Sequence, residues 1–353
     1  MIGRMLKRIG LLERVSRLWK ADLDAVVKPM RRDLRRLSEQ IEVLKKALDE
    51  TTRETAAGIK RADRFVLTAR LNEQHRSLIA ELPRLLDEER ITRHARAAIA
   101  AAPLLSDPFE HSVIQDVLPS DVYDLLIEAI PPVAFFNDRD PIKQNLRFPV
   151  QFGPTLTDKV WGFFDDIIAR RVLRSAVLER FQGPLQRHFD SMFGPALRDR
   201  ANLLPQSVTG GRLMLRRPGY HLNPHRDPKH AMLTCLLYLA RPGDSDTYGT
   251  QIFRVADDGD AGYKQTYYPE AEGCKTELVK VVPFKANSML VFLNSRGAHG
   301  ATIPTDAPAD LERYSYQFYV SPENEALKML IKELPADLRA MWQDKALRAL
   351  PSP

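Results

Sequence analysis

Between Gly211 and Val320 the chain repeats one texture, short runs rich in β-branched and aromatic residues separated by Gly, Pro, Asn and Asp. The runs are GRLMLRR, MLTCLLYLA, TQIFRV, LVKVVPF, SMLVFLN and RYSYQFYV. Strands of this length with turn residues between them predict a double-sheet antiparallel fold such as a jelly roll, with its core at about residues 205–322. Amphipathic helix returns in EALKMLIKELPADLRAMWQDKALRAL, which places C-terminal helices at 323–350.

The first third of the chain has a different period. Apolar residues fall at Leu23, Val27, Met30, Leu34, Leu37, Ile41, Leu44 and Leu48, alternating steps of four and three. That is a heptad seam, and a stripe this narrow buries too little for a helix packed on its own domain. Residues 1–100 are therefore expected to be a helical coiled-coil region that joins copies of the chain into a homo-oligomer. The seam weakens at Thr51-Thr52 and Gly58, and a looser helical pattern resumes to Leu85. Residues 101–353 form the second domain. Within it Ser120 is expected to cap the helix DVYDLLIEAI, and a long helical stretch at about Asp158 to Phe193 is expected to break at Gly183-Pro184.

Charge is placed unevenly. Residues 1–100 hold 23 Lys and Arg against 15 Asp and Glu, whereas the remainder holds 29 against 31, so the excess of base belongs to the helical third. No nucleic-acid-binding signature accompanies it, and no nucleic acid is expected as a partner. The first twenty residues bring Ile2, Met5, Ile9, Leu12 and Trp19 near one face, a foot suited to a membrane surface or a protein partner. Charges interrupt this segment every three or four residues, so it lacks the apolar core of a secretory signal, and no run reaches the length of a membrane span. Cys235 and Cys274 are too few for a disulfide framework. The expected setting is cytoplasmic, peripheral to a membrane if the foot engages one.

Chemistry concentrates in LNPHRDPKH, residues 222–230. HRD is the opening of a kinase catalytic loop, but Pro228 follows, no asparagine stands five positions after Asp227, and neither a glycine-rich loop nor DFG occurs. No G-x-S-x-G elbow or H-E-x-x-H motif is present for a hydrolase. A metal remains. On a strand His225 and Asp227 face the same way, and His299 follows the buried run SMLVFLN and a glycine turn. Two histidines and a carboxylate match the facial triad that holds non-haem Fe(II). Arg313 and Ser315 open the last strand, again two apart. A buried guanidinium beside a metal calls for a carboxylate, and a dicarboxylate co-substrate would supply one.

From about Pro108 to Val320 the chain resembles the 2-oxoglutarate- and Fe(II)-dependent dioxygenases, in their prolyl-4-hydroxylase-like branch. The matching residues are His225-Arg-Asp227, LTCLLYL at 233–239, PFKANSMLVFLNS leading to His299, and Arg313-Tyr-Ser315. The resemblance implies an α+β protein whose jelly roll is a double-stranded β-helix with supporting helices. It makes His225, Asp227 and His299 the catalytic iron ligands and Arg313 the partner of the distal carboxylate of 2-oxoglutarate. Ser315 and Tyr238 become hydrogen-bonding helpers, and Thr234 and Leu236 share the strand face of Tyr238. The implied co-substrates are 2-oxoglutarate and O2, with ascorbate as an optional reductant. Carrying Asp227, and not Ala or Gly, points to hydroxylation over halogenation. Tyr248-Gly249-Thr250 stands where relatives often have paired glycines, and the acidic segment Asp244–Gly273 is a candidate lid or a solvated surface.

The substrate stays open at this level: a peptidyl, proline-like residue, a saccharide or a small metabolite. Two other classes remain: a non-catalytic coiled-coil scaffold with a ligand-binding jelly roll, and a cupin-like metalloenzyme that does not use 2-oxoglutarate.

Overall fold

The computed structural model describes residues 2–137, 140–256, 258, 265–340 and 342, with side chains from residue 27 onward and at Trp19 and Ala25. The chain falls into two units, Met1–Val66 and Leu67–Pro353. No helix among the described residues is long and apolar enough to cross a membrane.

One helix, α1 (Ile2–Gln74), supplies all the described residues of the first unit. It runs without a break through Thr51-Thr52 and Gly58, where the heptad pattern fades. The hydroxyls of Thr51, Thr52 and Thr55 donate back to the carbonyls of Ala47, Leu48 and Thr51 at 2.8–2.9 Å, which keeps these polar side chains on their own helix. Met30, Leu34, Leu37, Ile41, Leu44 and Leu48 are all at least half exposed. The side chain of Leu23, and the proposed foot other than Trp19, lie outside the described residues.

The second unit begins with the end of α1 and continues through α2 (Arg76–Leu85) and α3 (Glu88–Ala101). Asp87 caps α3 by accepting from the backbone of Arg90 at 3.0 Å. Next come β1 (His111–Ile114), α4 (Ser120–Glu128) and β2 (Lys143–Leu146). Ser120 is the first helical residue of α4 and caps nothing. Pro119 holds the cap position, and its carbonyl accepts from Val122 and Tyr123 at 3.0 Å. The expected long helical stretch is α5 (Thr155–Phe163), a π-helical segment (Phe164–Leu173) and α6 (Arg174–Arg180), all end to end. The break comes at Phe181, earlier than expected, because α7 (Gln182–Phe193) takes Gly183-Pro184 into its first turn. The missing N–H of a proline costs nothing there, since first-turn amides have no partner within the helix.

After α8 (Arg198–Asn202) the strands follow: β3 (Gln206–Arg216), β4 (His221–His225), β5 (Leu233–Tyr238), β6 (Gln251–Val255), β7 (Thr276–Val281), β8 (Ser288–Leu293), β9 (Ala298–Thr302) and β10 (Arg313–Pro322). They form two antiparallel sheets, ordered β1-β8-β5-β10-β3-β2 and β4-β9-β6-β7, the double-stranded β-helix or jelly roll expected from the sequence. Helices α9 (Asn324–Lys332) and α10 (Ala336–Ala340) follow, and the rest of the expected C-terminal helix lies outside the described residues.

Alternation along the strands of the larger sheet sorts the residues into two layers. Leu213, Leu215, Cys235, Leu237, Met289, Val291, Tyr316 and Phe318 join a core with the helices, which also holds Trp161 and Phe164. Trp161 stacks on Phe148 at 5.4 Å and on Tyr316 at 5.6 Å, tying α5 to the middle of β10. On the other face Met214, Leu236, Tyr238, Leu290 and Phe292 pack with Ile252, Val282 and Phe284. That inner layer is small because much of the space between the sheets is lined by polar side chains.

Candidate metal centre

Pairing of β4 with β9 sets His225 directly opposite His299, and the two rings lie 4.1 Å apart. The sequence places His299 after a strand, whereas the structure builds it into β9; AHGAT carries little β-propensity signal because three of its five residues are Ala or Gly. Asp227 stands two residues past the end of β4. Arg226 between them bridges to the backbone of Tyr267, so the chain stays extended and both ligand candidates face inward. Arg226 itself points the other way. It donates to the carbonyl of Gly297 at 3.1–3.2 Å and pairs with Asp258, pinning the turn that leads to His299. Gly297 has φ +61°, and a Cβ there would lie 2.3 Å from the ring of Phe109, so only glycine fits this turn.

Ligand atoms of His225, Asp227 and His299 all lie within 4.8 Å of one another, and the three residues are buried. Nε2 of His225 is 3.8 Å from Asp227 Oδ1, and Nε2 of His299 is 3.7 Å from Oδ2. These gaps are too long for hydrogen bonds. They are slightly wider than the roughly 3–3.5 Å between neighbouring ligands on an ion bound at about 2.0–2.2 Å, so a small inward shift closes the set on a metal.

Surrounding groups hold the three ligand candidates. His225 Nδ1 is 3.0 Å from the carbonyl of Asn223, which fixes the proton there and leaves Nε2 as the lone-pair donor. Asp227 Oδ2 accepts from Thr234 at 2.7 Å, and Oδ1 accepts from Tyr319 at 3.3 Å. Asn294 in turn donates to Thr234 at 2.8 Å and to the carbonyl of Ala231 at 2.6 Å. Burial, and next the neighbouring His225, hold the His299 imidazole neutral, with a pKa well below the ordinary value. A neutral imidazole is the form that binds a metal.

Arg313 lies in the same cavity, of about 270 Å³, as the triad, Ser315 and Tyr238. It is 3% exposed, and Nε, Nη1 and Nη2 have no hydrogen-bond partner among the described residues. Phe284 and Tyr248 flank it with ring centroids at 4.8 and 6.0 Å, and the nearest carboxylate, Asp244, is 3.8 Å away. Burial pushes the guanidinium's pKa down by more than the nearby carboxylate of Asp244 pushes it up. Ser315 sits on the same inner face as Arg313, directly opposite Tyr238. Tyr238 donates to Thr250 at 2.7 Å, and burial raises its pKa to about 12. A larger cavity of about 530 Å³ also reaches Asp227, but neither histidine nor Arg313 lines it, so the three ligand candidates converge on the smaller one.

Thr250, Asn294 and Tyr319 complete the surroundings; the sequence marks Thr250 only as a departure from paired glycines, and Asn294 and Tyr319 not at all as site residues. The alternation Arg313, Ser315, Gln317, Tyr319 carried a signal for the tyrosine, and it survives a bulge between Gln317 and Tyr319. Of the acidic segment Asp244–Gly273, residues 257 and 259–264 lie outside the described residues.

No protein-family model and no curated protein matches the sequence. Solved structures do resemble it. A prolyl-4-hydroxylase from Pseudomonas putida is 20% identical over 65% of this chain and 100% of its own, with a TM-score of 0.35. An oxidoreductase of the 2OG-Fe(II) oxygenase family from Burkholderia pseudomallei is 10% identical over 66% of this chain and 91% of its own, with a TM-score of 0.36. HygX from Streptomyces hygroscopicus, solved with nickel, 2-oxoglutarate and hygromycin B, is 12% identical over 61% of this chain and 83% of its own, with a TM-score of 0.36.

Thr234→Val keeps the shape of the side chain and removes the hydrogen bond to Asp227. Calorimetric titration with Ni(II) is expected to show affinity about ten- to a hundredfold below wild type. An unchanged affinity would mean that Thr234 does not position the carboxylate.

Proposed function

We propose that the chain is an Fe(II)- and 2-oxoglutarate-dependent dioxygenase that hydroxylates an unactivated C–H bond. One observation carries the reading: a buried guanidinium with no hydrogen-bond partner among the described residues shares a cavity with a buried His-Asp-His set. A diacid whose keto-acid end reaches the metal, and whose far carboxylate reaches Arg313, satisfies both at once. The cupin-like and scaffold alternatives leave Arg313 with no hydrogen-bond partner among the described residues and no counter-charge nearer than Asp244 at 3.8 Å.

His225, Asp227 and His299 would hold Fe(II), leaving positions open for the co-substrate and O2. Bound there, the ion supplies the chemistry that couples oxidative decarboxylation of 2-oxoglutarate, to succinate and CO2, with insertion of the other oxygen atom into the substrate C–H. The protein's own share is to bind and orient. Arg313 fixes the far end of the diacid, with Ser315 and the Tyr238–Thr250 pair on the adjoining wall. Leu236, Phe284 and Phe292 give the inner layer apolar surface that excludes water. Thr234 and Tyr319 hold the carboxylate of Asp227 in place. The substrate falls among peptidyl, proline-like residues, saccharides and small metabolites.

The exposed heptad stripe of α1 supports a second part of the reading, a homo-oligomer joined through this helix. A second copy offers the same stripe, which lets a and d positions cover one another.

Anaerobic addition of Fe(II) and then 2-oxoglutarate is expected to give a weak visible charge-transfer band. Arg313→Ala should weaken the 2-oxoglutarate dependence of that band at least tenfold while Ni(II) affinity stays within twofold, and His225→Ala should lose both. A full band in Arg313→Ala would contradict the co-substrate assignment. For the helix, light scattering of the full chain is expected to give a multiple of 40.2 kDa, falling to the monomer in Leu37→Asp/Leu44→Asp. A monomeric wild type would contradict the oligomer.

A further inference from the structure

The cavity holds more positive charge than the diacid needs. On β3 the alternation that turns Met214 inward also turns Arg212 and Arg216 inward, and Lys143 on β2 is the cross-strand partner of Arg216. All three line the cavity. Among the described residues none of them pairs with a carboxylate. Arg216 is buried, lies over the ring of Tyr220 at 5.0 Å and donates to neutral oxygens, the carbonyls of Gln144 and Leu215 and the side chain of Asn145, at 2.8–3.0 Å, while the charge of Asp140 acts on it without a contact. Arg212 meets the amide oxygen of Gln317.

Some arginines outside the cavity have acid partners, whereas others such as Arg180 donate only to a carbonyl among the described residues. Arg217 and Arg241 share Glu312, and Arg226 pairs with Asp258. Arg217, Arg241 and Arg226 thus have acid partners, whereas among the cavity-lining arginines Arg313 has only Asp244 at 3.8 Å and neither Arg212 nor Arg216 has a carboxylate in contact among the described residues. A guanidinium buried without a counter-charge is costly, so its retention at Arg216 beside Arg212 points to an anion that arrives from outside. Arg313 already has its candidate anion in the far carboxylate of 2-oxoglutarate.

Position relative to the reaction centre narrows the role. Tyr319 touches Asp227 at 3.3 Å, and Arg212 lies close enough to Tyr319 to act on its hydroxyl. Arg212 is therefore about one side chain away from the metal ligands, on the β3 side of the sheet and off the β5–β10 strip that carries Tyr238 and Ser315. Tyr220 and Tyr268 line the same cavity and supply aromatic surface for the body of a ligand.

Resting on the dioxygenase reading, we infer that the substrate to be hydroxylated is a small molecule bearing an oxyanion, a carboxylate or a phosphate, which Arg212, Arg216 and Lys143 receive on the β3–β2 side of the cavity. Holding that group there sets the oxidised carbon a few bonds away from it. A neutral saccharide or an internal peptidyl proline would leave these cations unpaired.

Full-length protein loaded with Ni(II), which does not support turnover, is titrated calorimetrically with inorganic phosphate and separately with acetate, each with and without saturating 2-oxoglutarate. At least one anion is expected to bind in the presence of 2-oxoglutarate, five- to tenfold more weakly in Arg212→Gln and in Lys143→Gln. Arg216→Gln is included if its melting curve shows a folded protein, but the other two variants decide the outcome. Preference for phosphate assigns a phosphorylated substrate, and equal or better binding of acetate a carboxylate. Absence of binding by both anions, or affinity unchanged in both variants, overturns the inference. So does affinity that depends on Arg313 and not on Arg212, since the anion would then occupy the co-substrate site. If 2-oxoglutarate fails to bind while an Arg212-dependent anion still does, the oxyanion site stands and the dioxygenase reading falls.

Discussion

The alternation of a β-strand, one side chain to each face, is the constraint from which the site follows. In the larger sheet it sends Leu213, Leu215, Tyr314, Tyr316 and Phe318 into the helical layer and Arg212, Arg216, Arg313, Ser315 and Gln317 into the space between the sheets. A register slip of one residue would put those charges against Trp161 and Phe164 and turn the aromatic residues into the cavity. The packing of the helical core and the composition of the cavity are therefore one choice. The stack of Trp161 on Tyr316 fixes the register of β10, and with it the placement of Arg313.

What the sheets deliver is an electrostatic pattern that protein atoms leave incomplete. Three ligand candidates sit around a gap too wide for hydrogen bonding, and a guanidinium stands among aromatic rings without a hydrogen-bond partner among the described residues. Elsewhere in the domain several charges are matched, as in the bidentate contact of Arg90 with Asp121 at 2.8–2.9 Å and the ion pair of Arg226 with Asp258. Unpaired buried charge is costly, so its concentration in one cavity is read as preparation for ligands.

Much of this was legible beforehand because strand alternation survives in the letters. RYSYQFYV shows Arg313 and Ser315 on one face, and the spacing of His225 and Asp227 shows a shared direction. Less visible are β4 and β9, whose residues HLNPH and AHGAT include only one β-branched residue, Thr302, and which are held as strands by pairing with each other and, for β9, with β6. Asn294 and Thr250 act through contacts with residues 60 and 12 positions away, which no local pattern reports. The sequence points to a break at Gly183-Pro184 and not at Phe181 because a glycine-proline pair reads as a helix stop, although it is also tolerated in a first turn. The heptad stripe was plain, since exposed leucines at constant spacing need no tertiary information.

The central claim is spatial, that a metal and a diacid bridge the triad and Arg313. Anomalous diffraction from crystals grown with Mn(II) and 2-oxoglutarate tests it directly. A single strong peak is expected at about 2.0–2.2 Å from Nε2 of His225, Nε2 of His299 and one oxygen of Asp227, with the far carboxylate of the diacid hydrogen-bonded to Arg313. A peak away from these three residues, or a diacid whose far carboxylate lies out of reach of Arg313, would contradict it.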